Sequence, residues 1–194
     1  KELEGESVLS LEEKRLPKKA IATTRSFEKN LTDFEELKER VSTFAIFCSD
    51  KLRSQKSNCN SIYVFVKSNR HQKNKLQYRN GIVVTLPYAS SSSITISKYA
   101  VEGLKKIYKK GIEYKKAGVI VLGLIPTYSN QLNIFEKENP KYNTLMKTLD
   151  FITKKEGVNK IKLASQDLKK IWKMKQTRLS SRYTTELNEI ISLK

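Results

Sequence analysis

The sequence has few of the residues that build metal centres and nucleophilic sites. Its 194 residues include two cysteines, Cys48 and Cys59, and one histidine, His71. These three residues form neither a C-x-x-C nor an H-x-x-x-H spacing, so no zinc site is expected. Both cysteines are expected to be structural, which fits a protein of the reducing cytoplasm. A catalytic pair of one cysteine with His71 would need an orienting third group, and nothing in the sequence points to one.

Long apolar runs are also lacking. The longest, at 117–126, is too short and too interrupted by glycine to span a bilayer, so no membrane partner is expected. No signal peptide is recognisable, and the chain begins at Lys1 rather than Met. We therefore expect a piece of a longer protein. Hydrophobic residues make up 38% of the chain, which is enough to build a core.

Positive charge is abundant. Lys and Arg number 38 against 20 Asp and Glu, which gives a formal net charge of +18. The excess is +1 over residues 1–30, +10 over 31–125 and +7 over 126–194. Such an imbalance costs a compact domain self-repulsion, so it predicts a polyanionic partner.

Hydrophobic periodicity predicts the secondary structure. Strands are expected at 18–27, 61–66, 77–86 and 114–124, because apolar and β-branched residues alternate there. Phe34 to about Gln55 reads as a helix with a capping box of Thr32 and Glu35 at its start. A second helix runs from Ile94 to Tyr108, with Gly111 as its closing residue and a loop before it at 87–93.

This order, β-α-β-β-α-β, predicts the α+β fold class. Its arrangement is the split βαβ, or ferredoxin-like, one, with four antiparallel strands and both helices on one face of the sheet. The predicted module spans 18–125, preceded by a linker at 1–17 and followed by a second linker at 126–138. A C-terminal extension at 139–194 is expected to be partly helical, with Asn139 and Pro140 opening a helix that ends at Gly157, and with a short strand at 161–164.

Lysines and arginines of the module concentrate near the predicted hairpin and before the last strand. Long cationic side chains can follow a phosphate backbone without reading bases. Candidate phosphate-binding residues are Lys67, Arg70, Lys73, Lys75, Arg79, Lys115 and Lys116. The lysines that close the second helix are a weaker candidate because they offset the helix dipole there. Tyr63, Phe65 and Tyr78 do not form a ribonucleoprotein-type motif, so sequence-specific recognition has no visible basis.

Several short motifs, in a fixed order along the whole chain, resemble the C-terminal half of UmuC-type proteins, which are Y-family translesion DNA polymerases. The peptide Gln131-Leu132-Asn133-Ile134-Phe135 resembles the motif by which bacterial polymerases bind the sliding clamp, usually Q-L-x-L-F. The other motifs are Thr24 to Phe27, Asn30 to Asp33, Tyr114 to Val119, Trp172 to Lys175 and Leu179 to Thr185. Three positions depart from the family pattern: Glu28 replaces Gly, Ser181 replaces Pro and Ile134 replaces Leu.

The resemblance implies a role for each region. Residues 18–125 correspond to the little-finger domain, which grips the template–primer duplex, and Arg25 and Ser26 join the candidate DNA-binding residues. Gln131, Leu132, Ile134 and Phe135 become candidate clamp-binding residues. The C-terminal extension implies contacts with a UmuD′-type dimer and a RecA filament in the SOS response.

The same resemblance predicts that this chain does not polymerise by itself. Polymerases of the family hold magnesium with palm carboxylates that precede this half, so the chain is expected to carry no cofactor. Two alternatives remain open at this stage. One is a stand-alone basic module that binds RNA or the ribosome, and the other is a small enzyme that uses His71.

Overall fold

The computed structural model describes residues 2–5, 8, 16–72, 74–129, 139–157, 160–166 and 179–190. It contains four strands, three α-helices and three short 3-10 turns. The elements in chain order are β1 (Ile21–Leu31), α1 (Phe34–Ser54), β2 (Ser57–Ser68), β3 (Arg79–Ser90), α2 (Ser93–Ile107), β4 (Tyr114–Pro126) and α3 (Pro140–Glu156).

The four strands form one antiparallel sheet in the order β1-β4-β2-β3. Each β-α-β connection therefore skips one strand, because β4 lies between β1 and β2, and β2 lies between β3 and β4. The predicted α+β fold and the β-α-β-β-α-β order are confirmed. The strand bounds differ from the prediction by up to four residues: β2 and β4 are longer than predicted, and β1 and β3 both begin and end later than predicted.

Both α1 and α2 pack on the same face of the sheet. Alternate residues of the central strands point into this layer, among them Ile62 and Val64 of β2 and Val119 and Val121 of β4, and all four are fully buried. The predicted apolar stripe of α1 meets them; its fully buried members are Leu37, Val41, Phe44, Cys48 and Leu52. The core therefore lies between the sheet and the two helices.

The start of α1 differs from the prediction. Asp33, not Thr32, is the N-cap, and its carboxylate accepts a hydrogen bond from the backbone N–H of Glu36 at 2.9 Å. A charged carboxylate also complements the positive end of the helix dipole, which favours it over the hydroxyl of Thr32. The backbone carbonyl of Thr32 instead accepts a hydrogen bond from the hydroxyl of Tyr108 at 2.8 Å.

Two further boundaries and one short strand were predicted wrongly. The first half of the expected loop at 87–93 belongs to β3, an edge strand that tolerates Pro87 because one side of it needs no backbone donor. Helix α2 ends at Ile107, so Gly111, with φ of +85°, lies in the turn before β4 and not at the helix end. Residues 160–166 form turns and no strand.

The helix of the C-terminal extension is confirmed. The side chain of Asn139 caps α3 by accepting a hydrogen bond from the backbone N–H of Lys141 at 3.0 Å, and Pro140 follows as the first helical residue. Gly157 closes the helix with φ of +89°, a conformation that glycine adopts without steric cost.

Candidate nucleic-acid interface

Helices α1 and α2 cover one face of the sheet, and within the described residues no core helix covers the other face. We call it the open face; the strand residues of opposite parity to the core form it. They are Ala22, Thr24 and Ser26 of β1, Lys116, Gly118, Ile120 and Leu122 of β4, Ser61, Tyr63, Phe65 and Lys67 of β2, and Arg79, Gly81, Val83 and Thr85 of β3. Val83 is 54% exposed, so this face is accessible at the edge strand β3.

Three cations lie side by side across the open face. Lys116 pairs with Lys67, and Lys67 pairs with Arg79, so the three residues occupy adjacent positions on β4, β2 and β3. Ser26 extends this line onto β1 because it pairs with Lys116. We call Lys116, Lys67 and Arg79 the cation row. Directly paired strand residues have α-carbons about 5 Å apart.

The cation row costs the fold stability. Like charges at directly opposed positions of a sheet destabilise it, and the row contains two such pairs. Within the part of the chain that the structure describes, none of the three cations forms an ion pair with a carboxylate. The arrangement is therefore suited to an anion from outside the module, such as a phosphate backbone.

The remaining predicted DNA-binding residues lie elsewhere. Arg25 is exposed, but strand alternation turns it away from Ser26, toward the side on which Thr23 contacts Cys48. Lys115 alternates with Lys116 in the same way, and its ammonium donates to the carbonyl of Glu28 at 3.1 Å. Arg70 is exposed at the hairpin tip. Lys73 lies outside the described residues, as do the predicted clamp-binding residues Gln131, Leu132, Ile134 and Phe135.

Lys75 has a carboxylate partner. Its ammonium lies 2.6 Å from both carboxylate oxygens of Glu113, which precedes β4. The amide of Asn30 donates to the same carboxylate at 2.8 Å and to Gln72 at 3.1 Å. The hydrogen bonds from Asn30 and Lys75 lower the pKa of Glu113, so they favour the ionised form of this carboxylate. Lys75 therefore links the hairpin tip to the edge of the sheet.

Two aromatic rings occupy the middle of the open face. The rings of Tyr63 and Phe65 stack with centroids 5.8 Å apart, and the ammonium of Lys67 lies 5.1 Å above the Phe65 ring. Phe65 is only 7% exposed although no helix of the core covers it. Tyr78, the third aromatic residue considered from the sequence, points elsewhere and donates its hydroxyl to the carbonyl of Ile107 at 2.8 Å.

Glycines make room for these rings. Gly118 and Gly81 both pair with Phe65, one on each side. A Cβ atom on Gly118 would lie 2.5 Å from the Thr24 methyl group and 2.6 Å from the Phe65 ring, whereas one on Gly81 would lie 2.4 Å from the Tyr63 hydroxyl. Sequence reasoning missed both positions, although a glycine inside a strand pattern is itself a signal of such close approach.

The cysteines and the histidine are not brought together. Cys48 and Cys59 are fully buried in the core, where desolvation raises the pKa of both thiols, that of Cys59 to about 12. His71 is exposed at the hairpin tip. Among the described residues, no three His, Cys, Asp or Glu side chains converge as a metal site would require, and no helix is long and apolar enough to cross a bilayer.

Comparisons with known proteins agree with the order of motifs. The profile of the impB/mucB/samB family C-terminal domain matches residues 18–134, and that of a domain of unknown function, DUF4113, matches residues 143–193. Protein UmuC of Salmonella typhimurium is 35% identical over 196 aligned residues, which cover 100% of this chain and 46% of that protein. Protein ImpB of Salmonella typhimurium is 32% identical over 98% of this chain and 45% of its own length.

The chain thus spans about half the length of the curated relatives it matches. Among solved structures, the insertion ternary complex of Dbh DNA polymerase aligns with 55% of this chain and 29% of its own, at 11% identity and a TM-score of 0.42. The family profile covers more than half of the residues, and the relatives align along the whole chain. The chain therefore belongs to the impB/mucB/samB family, and its β-α-β-β-α-β module is the C-terminal domain of that family.

Proposed function

We propose that this chain is the DNA-binding and clamp-tethering region of an error-prone translesion DNA polymerase of the UmuC type. The observation that carries the first half of this proposal is the cation row on the open face. Two like-charged cross-strand pairs destabilise the sheet, and a phosphate backbone laid over them would reverse that cost. The family membership indicates the kind of longer protein in which such a surface would act.

The open face favours contact with the backbone over base reading. Lysine and arginine side chains contact phosphates without sequence information, and the Tyr63 and Phe65 rings lie over neighbouring glycines instead of standing free to stack on bases. A polymerase must hold any template, so a grip of this kind fits the proposed role. Catalysis, with its magnesium ions, would belong to carboxylates of the parent protein outside this chain.

The proposed DNA grip predicts strong dependence on salt. We expect the chain to bind a primed DNA duplex. The logarithm of its binding constant should fall linearly with the logarithm of the salt concentration, with a slope of about −3 if only the cation row contacts phosphates. Filter binding across a salt series measures the slope. Structured RNA is the comparison ligand, because its A-form grooves differ from those of a DNA duplex. Equal affinity for RNA would favour a stand-alone RNA- or ribosome-binding module instead.

The clamp tether is proposed from the sequence of the peptide at 131–135. Leu132, Ile134 and Phe135 would enter an apolar pocket of a sliding clamp, and Gln131 would hydrogen-bond beside it. A single peptide of this size reaches about 8 kcal/mol, which is micromolar affinity. Coupling to the DNA grip raises the effective concentration, so two weak contacts act as one tether. Contacts of the extension with a UmuD′-type dimer and a RecA filament stay predictions without assigned residues.

Clamp binding is expected to depend on the ends of the peptide and not on its middle. Changing Gln131→Ala together with Phe135→Ala should abolish retention of the chain on immobilised sliding clamp, because both the polar contact and the largest apolar contact are lost. Asn133→Ala is the matched control, since the motif places no constraint on that position. A pull-down measures retention, and undiminished retention of the double variant would contradict the tether.

A further inference from the structure

The first helix of the region matched as a domain of unknown function contacts the helix layer of the module. Met146 of α3 is 2% exposed, and its sulfur lies 3.4 Å from the backbone nitrogen of Ser93, the first residue of α2. Its neighbour Leu145 keeps 42% of its exposure. The burial of Met146 therefore marks the side of α3 that faces the start of α2.

Arg53, in the last turn of α1, joins the two parts of the chain. Its Nε and one Nη donate to the two carboxylate oxygens of Asp150 on α3, both at 2.7 Å, and the same Nη donates to Asp50 at 2.6 Å. The other Nη donates to the carbonyl of Ser91 and the hydroxyl of Ser93, both at 2.9 Å. The Arg53 side chain is only 13% exposed. These five bonds match the five N–H groups of a guanidinium.

We propose that α3 is a docking helix, and that it holds the region of unknown function on the module at the point where α1 ends and α2 begins. Arg53 determines the site, because only a planar guanidinium can make a bidentate pair with Asp150 while serving three further acceptors. Lysine at this position would lose that fork. Met146 supplies the apolar part of the contact beside it.

Docking through α3 has a consequence for the architecture of the chain. The site lies on the helix layer, on the opposite side of the sheet from the open face, so α3 leaves the cation row accessible. The segment 130–138 connects the turn after β4, which belongs to the module, to α3, which docks on the module. Helix α3 is then positioned by side-chain contacts and not by the linker alone. This inference does not depend on the proposed DNA or clamp binding.

Hydrogen exchange of the full chain tests the docking. We expect Asp150→Asn to accelerate exchange of the α3 amides about tenfold or more, because a charged bidentate pair is lost, while the amides of β2 and β4 are unchanged. Asp50→Asn is the matched control. It also removes one negatively charged partner of the Arg53 guanidinium, but Asp50 belongs to α1 and makes no bond to α3. It should leave α3 exchange near the wild-type rate.

A second pair of variants separates docking from a loss of charge. Met146→Ala should accelerate α3 exchange, and Leu145→Ala, one residue away on the exposed side, should do so much less. The proposal is overturned if the backbone amides of α3 in the wild-type chain exchange as fast as those of a helix that has no tertiary contacts. It is equally overturned if Asp50→Asn releases α3 as strongly as Asp150→Asn, or if neither Asp150→Asn nor Met146→Ala changes its exchange.

Discussion

Replacing Lys67, Arg79 and Lys116 together by glutamine is expected to weaken binding to a primed DNA duplex by about two to three orders of magnitude near 0.1 M salt. Each cation that neutralises a phosphate releases a condensed counterion, and the loss of three contacts should also reduce the salt slope by about 2.7. Filter binding of wild type and variant across the same salt series measures both quantities.

The geometry predicts that these three residues act as a unit. They are neighbours across three strands of a rigid sheet, so a phosphate backbone can contact them without ordering any long loop. Removing them also relieves two like-charge pairs, so the variant should unfold at the same or a higher temperature than wild type. A loss of binding that accompanies gained stability cannot be attributed to unfolding.

Lys105, Lys106 and Lys109 provide the control, since changing them to glutamine removes the same net charge. All three are exposed at the end of α2 and beyond it, on the other side of the sheet from the cation row. If duplex binding depends on the open face, this variant should lose less than about tenfold in affinity, through the reduced field of the whole chain. Equal losses in both variants would contradict an interface at the open face.

The sequence predicted the elements of the fold because its periodic signals are local. Alternation in β2 and β4 and the stripe from Leu37 to Leu52 repeat at spacings that single strands and helices set by themselves. The ends of the elements depend on neighbours instead. Pro87 joins β3 only because β3 lies at the edge of the sheet, and strand order is a property of the whole chain.

The candidate interface was predicted as a set of residue types and not as a surface. Lys67, Arg79 and Lys116 were each identified, but their alignment depends on strand register, which no single segment contains. Arg25 and Ser26 were proposed together from the family resemblance, and strand alternation places them on opposite sides of the sheet. Arg53 was not recognised at all, because a basic residue in the last turn of a helix ordinarily complements the helix dipole, and its partner Asp150 is 97 residues away.

Gly118→Val is expected to lower the free energy of unfolding by about 3 kcal/mol, because an overpacked site in a central strand cannot relax. Even a single Cβ atom there would lie within 2.6 Å of both the Thr24 methyl group and the Phe65 ring. Thr24 belongs to the neighbouring strand β1, and Phe65 is buried between Tyr63 and Lys67. Chemical denaturation of the wild-type and variant chains measures the difference.

Gly81→Val is the matched control because Gly81 pairs with the same Phe65 from the other side. A Cβ atom at Gly81 meets the hydroxyl end of Tyr63, which can rotate away, and β3 is an edge strand that can shift outward. Its cost should stay below about 1 kcal/mol, since valine also favours strand geometry. A cost at Gly118 as small as the one expected at Gly81 would mean that Phe65 is not fixed against β4, and the open face would then lack the rigid surface on which the cation row depends.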